Sequence, residues 1–139
     1  MISFDSNYDG FDLENKSIFQ TWLKDVITQE GKTPGDIHYI FLSDSGLLEI
    51  NKQFLNHHDF TDIITFPLSE SEQIIRGEIY ISLDRVKENA SLNNVNFHQE
   101  IARVLVHGVL HLLGYNDHTK EEKNEMRSKE DYYLNLLPQ

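Results

Sequence analysis

Cysteine does not occur in the 139 residues. That excludes disulfides and thiolate metal sites, and it fits a reducing compartment. Basic residues are scarce: 12 Lys and Arg stand against 23 Asp and Glu, for a formal net charge of −11. Such a balance argues against a general nucleic-acid binder, which carries a basic patch because phosphate contacts supply most non-specific affinity. Long hydrophobic runs are also missing. The longest apolar stretch, 104–113, is interrupted by His107, Gly108 and His111 and is too short to span a bilayer. The opening MISFDSNYDG has neither a basic nor an apolar leader segment. A cytoplasmic protein with no membrane association is therefore expected. There is no repeat, no low-complexity tract and no linker rich in Pro, Gly or Ser.

What is present is a globular composition. The chain is 39% hydrophobic and 11% aromatic, which is not a disordered profile. A single domain over 1–139 is expected, and a chain this long can bury roughly two-thirds of the surface its unfolded form exposes. The acidity is uneven. Residues 1–72 hold 13 acids and 4 bases, whereas residues 73–139 hold 10 acids and 8 bases. The net of −9 thus belongs to the first half and only −2 to the second.

The periodicity predicts a short first strand at 2–4 and an amphipathic helix over 15–30, with Ile18, Phe19, Trp22, Leu23, Val26 and Ile27 at helical spacing. A strand over 37–42 follows a Pro34-Gly35 turn. Ser43 or Asp44 can cap a helix reaching about Leu55. Strands over 63–66 and 77–82 flank a polar hairpin loop at 69–73, and a helix runs over 84–92. A last charged helix over 120–136 is expected to turn Met126, Tyr133, Leu134 and Leu137 inward. The expected fold is α+β: a small mixed sheet of three to four strands packed with helices.

The helix predicted over 98–113 differs from the others. Between Ile101 and Leu113 it is apolar on nearly every side, which marks a central, buried helix. Its few polar residues, Glu100, Arg103, His107 and His111, fall within roughly an 80° arc at about 100° per residue. Histidines at i and i+4 share one face and can reach one ion. Gly114 ends the helix and lets His118 approach the same ion from outside it. Three imidazoles with an open fourth position make a catalytic zinc arrangement, and nickel or copper can compete for it. Two histidines inside an otherwise apolar helix are costly to bury unless something satisfies them. His38, His57, His58 and His98 lack such a setting and read as surface or structural residues.

The run HGVLHLLGY followed by Asp117-His118 resembles the signature of the YbeY family of endoribonucleases, also called rRNA maturation factors. Leu47 to Asn51, the segment Thr61-Asp62-Ile63-Ile64-Thr65-Phe66 and Gly77-Glu78-Ile79 resemble other family segments in the expected order. The resemblance implies a zinc-dependent endoribonuclease acting on small-subunit (16S) ribosomal RNA, including its 3′ end, in ribosome biogenesis and quality control. Its implied partners are ribosomal RNA, the small ribosomal subunit and assembly proteins. Its implied ligands for one Zn²⁺ are His107, His111 and His118. No dinucleotide cofactor is expected.

Two departures from the family pattern stand out. The family has five residues between its second and third His, whereas six separate His111 from His118 here. Asp117 is the alternative third ligand, since a carboxylate also binds zinc. The family arginine four residues after the Asn matching Asn51 is replaced by Leu55. Arg76 and Arg103 are the candidates to supply its charge, and Arg103 can instead pair with Glu100. Asp117 and Asp62 are the candidate bases. A metallopeptidase would place Glu directly after the first His, where this chain has Gly108. A non-catalytic, metal-stabilised assembly factor is the other alternative.

Overall fold

The computed structural model describes residues 1–56 and 61–138, so the His57-His58 pair lies outside the described residues. Within them the order is β1 (Ile2–Ser6), α1 (Lys16–Gln29), β2 (Thr33–Leu42), α2 (Asp44–Leu55), β3 (Ile63–Pro67), β4 (Ile74–Ser82), α3 (Leu83–Leu92), α4 (Phe97–Leu112) and α5 (Lys120–Leu134). The strands form one mixed sheet in the order β1-β2-β4-β3. β1 and β4 flank β2 in parallel, and β3 closes the far edge antiparallel to β4. The architecture is the expected α+β fold.

Strand alternation sorts the side chains onto two faces. Ile2, Phe4, Ile37, Tyr39, Phe41, Ile75, Ile79 and Ile81 turn to one side and join the main core with α1, α3, α4 and α5. Ile40, Leu42 and Ile64 turn to the other, where they meet Leu47 of α2. Each such side chain contributes roughly 1.5–3 kcal/mol when fully buried. α4 is the central helix. Eight of its apolar positions are buried from Ile101 to Leu110, and an Asn96–Gln99 capping box starts it. The Tyr39 hydroxyl donates to the Leu105 carbonyl at 2.7 Å, fixing α4 on β2.

Gly108 explains how closely α4 lies on the sheet. A Cβ there would stand 3.0 Å from two carbons of Ile79 and 3.1 Å from Ile63. The residue after the first site histidine therefore faces the sheet, with no room for a glutamate.

The structure differs from expectation at several points. Pro34 and Gly35 are not a turn before the strand but lie inside β2, where the register shifts between Pro34 and Ile37. That irregularity lets Thr33 pair with Ile74, so β4 also starts earlier than 77. α5 ends at Leu134, with Leu137 tucked into the core just beyond it. Ile18 lies on the exposed side of α1. No helix among the described residues is long and apolar enough to cross a membrane.

Candidate metal centre

α4 sets His107 and His111 one turn apart on its polar stripe. Their Nε2 atoms stand 3.0 Å from each other. Gly114, with φ of 105°, turns the chain back after the helix. The return brings Asp117 to the same point: its Oδ2 lies 3.5 Å from Nε2 of His107 and 3.4 Å from Nε2 of His111.

Each imidazole is fixed from behind. His107 Nδ1 donates to Glu130 Oε2 at 2.6 Å, and His111 Nδ1 donates to the Tyr115 carbonyl at 2.9 Å. Neither partner can donate, so both rings place their hydrogen on Nδ1 when neutral. Both Nε2 lone pairs then face the same small space beside a carboxylate oxygen. Ligand atoms held tetrahedrally at about 2.0–2.1 Å from zinc lie about 3.3–3.4 Å from one another. The triangle of 3.0, 3.4 and 3.5 Å matches that requirement. The donor set fits a divalent ion with room for a further ligand.

The two histidines differ electrostatically. Burial opposes charge on His107, but the Glu130 hydrogen bond and charge outweigh it, with help from Asp62 and Asp117, and its pKa is raised. Burial and the neighbouring His107 lower the pKa of His111.

The sequence-predicted residues divide accordingly. Among the described residues, His107, His111 and Asp117 form the group of possible ligands. His118 is exposed, and its backbone N–H donates to Glu122 in the capping box that starts α5. Arg103 does not pair as the i, i+3 spacing to Glu100 suggested. Its guanidinium binds Glu130 and Asp131 of α5, each at 2.7 Å, and reaches the histidines only through Glu130. Arg76 is exposed and sits beside Ser3, His38 and Glu78 on the sheet face opposite α4. Leu55 ends α2, partly exposed. Asp62 is partly buried and close enough to act on His107 through its charge.

Two contributors were missed by sequence reasoning. Glu130 is only 4% exposed although α5 reads as a charged surface helix. Its spacing carried the signal: Met126, Glu130, Tyr133 and Leu137 follow a 4-3-4 inward stripe. Glu30, at the end of α1, accepts from the hydroxyls of Tyr115 and Tyr133 and from Lys129 Nζ. It thereby fastens the loop that carries Tyr115 and Asp117 to α1 and α5.

Comparison with known proteins places the chain in a family. Residues 2–138 match the family described as Endoribonuclease YbeY. A protein of that name from Flavobacterium psychrophilum is 46% identical over 137 residues, covering 99% of this chain and 96% of its own. One from Cytophaga hutchinsonii is 46% identical over 126 residues, covering 91% and 88%. The solution structure of TM1509 from Thermotoga maritima superposes with a TM-score of 0.68 at 29% identity, covering 99% of this chain and 89% of that one. On the family match over residues 2–138 and the identity to these relatives, the chain belongs to the Endoribonuclease YbeY family.

Proposed function

We propose that this protein is an endoribonuclease of small-subunit ribosomal RNA maturation that hydrolyses phosphodiester bonds with one zinc ion, including at the 3′ end of 16S RNA. Family membership supports the reaction class, and the ligand triangle of His107, His111 and Asp117 is the single observation that carries the metal dependence. Five residues, 112–116, separate His111 from Asp117, which is the family spacing between its second and third ligands. The third ligand is thus Asp117 in place of a histidine. His118 then serves at the start of α5, and no extra residue has to be absorbed in the turn.

Zinc in such a site supplies Lewis acidity, lowering the pKa of water toward 7 and polarising a phosphoryl oxygen. The chain supplies the rest. His107 and His111 present unprotonated Nε2 atoms because Glu130 and Tyr115 hold their protons on Nδ1. Asp62, whose charge already acts on His107, is the carboxylate left to accept a proton once Asp117 serves as a ligand. Arg103 holds Glu130 rather than a substrate phosphate. The packed Gly108 argues against a peptidase, whose base would need that position.

Single-turnover cleavage of a precursor ribosomal RNA within small-subunit particles tests the reading. Zinc-loaded protein should cleave it, and His111→Ala should lower the rate by at least about 100-fold. Absence of cleavage with intact association to the particle would leave an assembly factor. Peptide cleavage abolished by His111→Ala would establish a peptidase.

A further inference from the structure

Glu130 is a buried carboxylate on α5 that no feature of the reaction class requires. Its side chain is 6% exposed, which is costly for a charge unless it is well paired. Its two oxygens point to different partners. Oε1 accepts from Arg103 Nη1 at 2.7 Å, and Oε2 accepts from His107 Nδ1 at 2.6 Å. The opposite ring nitrogen of His107, Nε2, faces His111 and Asp117. The order across the site is therefore Arg103, Glu130, His107 and then the ligand space.

We propose that Glu130 is the positioning residue of the metal centre: it holds His107 in the Nδ1–H tautomer with Nε2 turned to the ion, while Arg103 holds Glu130 in place. Three observations carry this. A carboxylate can only accept, so its 2.6 Å contact assigns the ring proton without reference to a metal. The pairing reaches across from another helix, beside the Arg103 ion pairs with Glu130 and Asp131, so α5 dictates the ring orientation on α4. The two histidines are treated unequally: His111 leans on a neutral carbonyl of its own loop, His107 on an ionised group from another helix. Carboxylates behind metal-bound histidines fix tautomer and orientation and raise ligand basicity, and their loss costs 10–100-fold in metal affinity. His107 is thus the ligand whose hold on the metal the fold controls from a distance.

The inference rests on the zinc reading above, and the test separates the two. Zinc affinity is measured by competition with a chromophoric chelator for wild type, Glu130→Gln and Glu130→Ala, at a temperature well below each Tm. Visible spectra of the Co²⁺-substituted proteins are recorded alongside. Glu130→Ala should lose roughly 10–100-fold in affinity and shift the Co²⁺ spectrum. Glu130→Gln keeps an acceptor in nearly the same volume and should lose less. It also keeps the question open to an answer if the alanine variant does not fold. In the metal-free wild type, long-range ¹H–¹⁵N correlations at pH 8.5 should show His107 protonated on Nδ1, moving toward Nε2 in the variants. Wild-type zinc affinity, spectrum and tautomer in both variants, with only Tm reduced, would make Glu130 a helix-to-helix tie and overturn the inference. A wild type that takes up no zinc would overturn the functional reading itself.

Discussion

His107 and His111 face each other with 3.0 Å between their Nε2 atoms, each with its other nitrogen already hydrogen-bonded. Two lone pairs at that distance, beside the Asp117 carboxylate, form a place for a cation. Zinc should therefore stabilise the folded chain by mass action, about 2.7 kcal/mol at a hundredfold excess over Kd. Thermal melts with and without zinc check this, and His111→Ala should abolish the shift.

Glu30 gives a pH dependence of opposite origin. Burial pushes its carboxyl up, but hydrogen bonds from Tyr115, Tyr133 and Lys129 and the Lys129 charge outweigh it and hold the pKa below the ordinary 4.5. Its contribution is present in full above 4.5 and fades as the pH falls through the lower folded value. Glu30→Gln should cost about 1–3 kcal/mol at pH 7. The gap to wild type should close on acidification, as urea titrations across pH 3–7 would show.

Gly108 sets the spacing between α4 and the sheet. Alanine gains about 1 kcal/mol of helix propensity but pushes on Ile79 and Ile63, so Gly108→Ala should fall near neutral or cost up to about 2 kcal/mol. Gly108→Glu has no such tolerance. It should lose several kcal/mol in chemical denaturation, and it should gain no peptidase activity despite the completed His-Glu-x-x-His spacing.

The charge of −11 makes a prediction about RNA. Arg103, the cation on the histidine stripe, is committed to α5. Free RNA should bind weakly and lose less than about tenfold in affinity between 50 and 200 mM salt, where a protein with 6–10 phosphate contacts loses about 10³–10⁵-fold. Filter binding over that range distinguishes the two.

Local patterns made much of this legible in the sequence. α4 announced itself because it is apolar on nearly all sides, and the i, i+4 histidines because a helix must place them together. The start of β2 was not legible, since Pro34-Gly35 usually breaks a strand and only its pairing with β4 keeps it in one. Nor was the choice between Asp117 and His118, because adjacent residues on a loop point in different directions, and the turn after Gly114 decides which one arrives. Arg103 and Glu130 lie 27 positions apart, and their pairing depends on how α5 docks on α4. No spacing rule predicts a partner at that separation, so the sequence left Arg103 as either a substitute cation or a partner of Glu100.

The most direct test is the zinc content of purified Asp117→Ala and His118→Ala beside wild type. With His107, His111 and Asp117 as ligands, His118→Ala should retain one zinc per chain with unchanged affinity, and Asp117→Ala should retain little or none. Stoichiometric zinc in Asp117→Ala together with its loss in His118→Ala would contradict the account.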